Sequence, residues 1–67
     1  MKRFYKISRE GLEIFIMYNE ETEKCLQVTN NSIVVTKGRF LMWSECTRED
    51  FYAAYQAVAA KIQNQII

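Results

Sequence analysis

Residues 2 to 45 contain five short runs that alternate side chains at a strand's two-residue period, and only one helical stretch, about 47 to 65, follows them. A single helix can cover one face of a sheet. An antiparallel sheet ordinarily buries one face and wets the other. Here apolar residues occupy both sets of alternating positions, so a second apolar face, carrying Phe4, Phe15, Met17, Val34, Phe40 and Met42, is expected to remain uncovered by the helix.

The runs connect through turn residues. Residues 2–7 and 12–18 flank Ser8-Arg9-Glu10-Gly11, read as a four-residue loop that sets Ile7 against Leu12, Tyr5 against Ile14, Phe4 against Phe15 and Lys6 against Glu13. The polar stretch Asn19 to Lys24 is read as a loop of odd length, which keeps Ile16 and Tyr18 on the face of Leu26 and Val28. Asn30-Asn31 suits a two-residue type I′ turn pairing Val28 with Ile33 and Leu26 with Val35. A last hairpin, turning at Lys37-Gly38-Arg39, has two possible registers. The three-residue loop is preferred because it adds Leu41 and Trp43 to a continuous core of Tyr5, Ile7, Leu12, Ile14, Ile16, Tyr18, Leu26, Val28, Ile33 and Val35.

The helix has a clear start. Thr47 is a good N-cap, Asp50 stands where a capping box carries its acid, and Glu49 and Asp50 complement the helix dipole. Phe51, Tyr55, Val58 and Ile62 form the apolar stripe, expected to pack on Trp43 and Ile14, while Gln63-Asn64-Gln65 should fray. The predicted fold is a single α+β domain over residues 1–67. It is an antiparallel meander of four or five strands, with one C-terminal helix packed on one face (βββββα).

Composition narrows the function classes. Nine Lys and Arg against eight Asp and Glu give a net charge of +1, which is not the basic footprint of a duplex-binding protein. Histidine is absent, removing the commonest general base and transition-metal ligand. The chain has only two glycines, Gly11 and Gly38, so no phosphate loop can form. Glu20, Glu21 and Glu23 share a turn but lack the order of a calcium loop. Of the two cysteines, Cys46 alone stands next to a helix start, and a small apolar role fits it better than nucleophilic chemistry. No segment is apolar for long enough to span a bilayer or act as a secretion signal, so a cytoplasmic protein with free thiols is expected.

These exclusions leave recognition: a non-enzymatic binding module without cofactor or metal. Self-association through the helix-free face of Phe4, Phe15, Met17, Val34, Phe40 and Met42 is the preferred reading, because a 67-residue chain with two apolar faces gains from a homodimer. A protein partner could use the same face. The alternative is single-stranded nucleic acid, with Phe4 stacking on bases and Lys2, Lys6, Lys37 and Arg39 meeting phosphates. The order of several strands and one C-terminal helix resembles that of single-strand-binding coactivator domains of the PC-four type. The resemblance is one of element order and assigns no residue a role.

Overall fold

The computed structural model describes residues 1–38 and 42–66, with the side chains of 64–66 left out of account. It is an α+β fold in which one antiparallel sheet of five strands is followed by a single helix packed on it. The strands are β1 (Lys2–Arg9), β2 (Leu12–Asn19), β3 (Lys24–Val28), β4 (Ile33–Lys37) and β5 (Ser44–Glu45), and the helix α1 is Arg48–Ile66. Their order across the sheet is β4-β3-β2-β1-β5. The first four strands therefore form a meander, but β5 crosses to the far edge and pairs with β1, through Tyr5 with Glu45 and Lys6 with Ser44. Among the described residues the segment after Gly38 pairs with β1 and not with β4 as the expected last hairpin required, while Arg39, Phe40 and Leu41 lie outside the described residues.

The β1–β2 turn is tighter than the sequence suggested. Glu10 at φ 53° and Gly11 at φ 80° make a two-residue connection with both central residues in the left-handed region, the requirement of a type I′ turn. The register moves by two residues, to Ile7 with Ile14, Tyr5 with Ile16 and Phe4 with Met17, and the ladder gains Arg9 with Leu12. A glutamate is an unusual occupant of positive φ, which is why the glycine alone was legible. The two-residue shift leaves each side chain on its expected face.

The next connection does change faces. Tyr18 pairs with Cys25 and Met17 with Leu26, so the segment 19–24 between them is even in length, not odd. Its geometry comes from Asn19, whose side-chain oxygen accepts from the amides of Glu21 (2.9 Å) and Thr22 (3.3 Å), and from Glu23 at φ 60°. The result joins Phe4, Phe15 and Met17 to Leu26, Val28, Ile33 and Val35 on one face. Tyr5, Ile7, Ile14, Ile16 and Tyr18 share the other with Cys25, Gln27, Val34 and Thr36. At the β3–β4 turn the expected pairs of Val28 with Ile33 and Leu26 with Val35 are present. Asn30 and Asn31 do not take positive φ, however, and the turn closes through the Thr29 hydroxyl, which accepts from the Ser32 amide at 3.1 Å.

The helix lies on the first of these faces. Phe51 (fully buried), Val58 and Val28 form a cluster against which Phe4, Phe15, Met17, Leu26, Ile33 and Ile62 pack. This corrects the expected packing of α1 on Trp43 and Ile14. The physical reason is the register: the even segment 19–24 brings Leu26, Val28 and Ile33 into one apolar row with Phe4, Phe15 and Met17 across four strands, whereas the other face carries Gln27 and Thr36 on β3 and β4 and packs Trp43. Thr47 caps the helix as expected, its hydroxyl accepting from the Asp50 amide at 3.1 Å. The backbone stays helical through Ile66, beyond the expected fraying point.

The opposite face is not bare either. Tyr5, Ile16 and Cys25 are buried there, with Ile7, Ile14, Tyr18 and Trp43 packed against them. The connection from β4 to β5 links opposite edges of the sheet, and both described ends rest on this face. The Cys25 thiol donates to the Gly38 carbonyl at 2.8 Å, and the Trp43 ring lies 5.9 Å from that of Tyr5. Among the described residues no helix is long and apolar enough to cross a membrane.

Candidate interaction surface

The covered faces relocate the residues singled out in the sequence. Phe4 has its ring 5.5 Å from Phe51 and 6.0 Å from Tyr52, and the Tyr52 hydroxyl approaches the Met17 sulfur at 3.9 Å. With Phe15 packed in the same cluster, these three residues belong to the sheet–helix core and not to a helix-free face. Phe4 is accordingly engaged by rings of its own chain and partly buried. Val34 and Met42 are on the exterior, 46% and 68% exposed. Met42 borders a shallow groove of about 340 Å³ with Ile7, Ile14, Gln27 and Trp43 on the face opposite the helix. Arg39 and Phe40 fall outside the described residues.

Both thiols are held above their ordinary pKa. Burial pushes the Cys25 thiol up, with a hydrogen bond to the Thr36 side chain only partly opposing. Burial also raises Cys46, Asp50 raises it further and Lys6 lowers it. A nucleophilic cysteine needs the opposite shift. Among the described residues no three His, Cys, Asp or Glu side chains converge to hold a metal ion.

What the fold does present is an edge. No strand pairs with β4 on its outer side among the described residues. At the two ends of the β3–β4 ladder the Thr29 amide donates to the Ser32 carbonyl and the Gly38 amide donates to the Glu23 carbonyl, both at 2.9 Å. Antiparallel strands alternate between inward- and outward-directed backbone groups. Ser32, Val34, Thr36 and Gly38 therefore turn their backbone groups toward β3, while Ile33, Val35 and Lys37 turn theirs outward. Val35, the middle of these, is 66% exposed.

The helix leaves the neighbouring corner of its own face open. It begins beside Phe4 and runs toward the β3–β4 turn, where the Lys61 ammonium donates to the Asn30 carbonyl at 3.2 Å. The opposite corner is a groove of about 380 Å³ lined by Lys2, Met17, Asn19, Lys24, Leu26 and Val35. Lys37 stands directly across from Lys24 in the β3–β4 ladder. Of the acids in the 19–24 turn, Glu20 pairs with Arg3 and Glu21 lies 3.6 Å from the terminal amine. Lys2 thus shares a groove with Lys24, and Lys37 stands across from Lys24 on the edge strand, while Lys6 sits toward β5 opposite Ser44.

Lys24 and Val35 were missed in the sequence. Their role depends on β4 being an edge, and that follows from β5 choosing β1, a pairing between segments remote in the chain. The β-branched run Ile33-Val34-Val35-Thr36 signals a strand but not its neighbours. No family model matches the chain, and neither a curated protein nor a solved structure matches it.

Proposed function

We propose that this protein is a non-enzymatic interaction module that receives an extended segment of a protein partner as an additional strand on β4. The observation that carries this reading is the β4 edge: three outward-facing backbone positions, Ile33, Val35 and Lys37, flanked by exposed valines. A β-branched edge of this kind templates strand addition, and soluble proteins ordinarily blunt it with bulges, prolines, charged side chains or covering segments; on β4 the charge is confined to Lys37 at its end. The chain has no proline. The lack of histidine and the raised thiols favour recognition over turnover. Self-association remains a form of the same chemistry, but its centre moves from Phe15 and Met17, now in the core, to the edge.

The test uses proline as a selective block. Val35→Pro removes an outward amide while leaving the inward ladder of Val34 and Thr36 intact. Peptides selected by display against the wild-type domain should shift the amide resonances of Ile33, Val35 and Lys37. They should bind Val35→Pro about two- to tenfold more weakly, the range for one lost hydrogen bond. Selected peptides that perturb another surface, or that bind a folded Val35→Pro domain equally well, would refute the proposal.

A further inference from the structure

Resting on that strand-addition reading, we infer that the segment taken up by β4 is acidic on the helix side of the sheet, with an apolar side chain beside Val35 and a carboxylate beside Lys37 and Lys24. Three observations converge. Lys24 and Lys37 are cross-strand neighbours, an arrangement in which like charges repel. Lys2 adds a further ammonium to the groove that Lys24 lines, and no ion pair to any of these lysines occurs among the described residues. Between them lies an apolar floor of Met17, Leu26 and Val35. An anion placed at Lys37 relieves the repulsion, and an apolar group placed two residues along the added strand covers Val35.

A second copy of this chain satisfies the backbone but not the charge. Antiparallel pairing of two β4 strands about Val35 would set Val35 against itself and Lys37 against Ile33, bringing no carboxylate to the lysines. The charge therefore favours a heterologous strand. Because alternate residues point to opposite faces, the acid and the apolar residue must be two apart. The recognised pattern, read antiparallel to β4 like the other neighbours in the sheet, is acid-x-apolar-x-apolar, with the last position beside Ile33.

The probe is the peptide Thr-Glu-Thr-Val-Thr-Val-Thr, titrated into the labelled full chain at low salt and followed by amide shifts. Its comparators carry lysine in place of glutamate, or the same residues with the acid moved by one position onto the other face. The acidic peptide should bind about two- to fivefold more tightly than either comparator, the span expected of one exposed charge pair, and the preference should fade with salt. Lys37→Glu should reverse the preference toward the lysine peptide, and Lys24→Glu provides the same readout should Lys37→Glu fail to fold. Equal binding of all three peptides at β4 would overturn the charge rule while leaving strand addition standing. A dimer in sedimentation with the Ile33, Val35 and Lys37 amides protected and no peptide response would assign the edge to a second copy instead. A monomer whose β4 amides respond to no peptide would overturn both this inference and the reading beneath it.

Discussion

Truncating Phe51 to alanine tests the sheet–helix packing at its centre. The side chain is fully buried and its ring touches those of Phe4, Tyr52 and Tyr55 at centroid distances of 5.5, 5.3 and 6.2 Å. Removing a buried phenylalanine costs about 3–5 kcal/mol from lost transfer energy and the residual cavity. A folded chain of 67 residues has roughly 3–10 kcal/mol of stability in total. Phe51→Ala should therefore remove between a third and all of it. Urea denaturation followed by far-UV circular dichroism reports the helix, and fluorescence of Trp43, the sole tryptophan, reports the opposite face. Both signals should move together to a lower midpoint, because the two clusters share the strands between them. A loss below about 1 kcal/mol would refute the packing, since even partial collapse of the cavity leaves more than that. So would a helix signal that melts while the tryptophan transition stays at its wild-type midpoint.

Thr47→Ala should destabilise the domain by about 1 kcal/mol through loss of the hydroxyl that accepts from the Asp50 amide, while Thr47→Ser should be close to neutral in the same denaturation assay. Alkaline stability should report the thiols. Burial raises Cys25 and Cys46 in the fold, so the folded state holds their protons more firmly than the unfolded one. Their contribution is complete below the unfolded thiol pKa and is lost as pH rises through the raised folded values. The double variant Cys25→Ala, Cys46→Ala should show a shallower alkaline decline in urea midpoint than wild type, and an identical slope would disprove the assignment.

The legible parts of this fold were those set by neighbours in the chain. The Thr47 cap, the Phe51 and Val58 stripe, and the Val28–Ile33 register all follow from residues a few positions apart. Two quantities did not. One was the parity of the segment 19–24, where Asn19 and a left-handed Glu23 fold an even number of residues into a compact turn. Its effect was to exchange β3 and β4 between faces and move Phe4, Phe15 and Met17 from a supposed binding surface into the core. The other was the partner of β5. Two strands of similar pattern, β4 and β1, could have accepted it, and alternation alone does not distinguish them. The candidate surface depends on both outcomes, which is why Lys2 and Lys37 were recognised as cations while Lys24 and Val35 were passed over.

The crossing of β5 to β1 also dictates the order in which this protein can complete itself during synthesis. Translation delivers β1 to β4 first, and a nascent chain ending before Trp43 has its apolar rows open to water on both sides and two unpaired margins. The first strand made is an interior strand of the finished sheet, so its outer margin waits for Ser44 and Glu45, about forty residues downstream. Helix residues Phe51 and Val58 arrive later still. Until then only hairpin contacts can hold the emerging sheet, and its last strand, β4, is also an edge of the finished sheet among the described residues. The strand that a partner would meet on the mature protein is the same one most exposed to unwanted pairing on the ribosome.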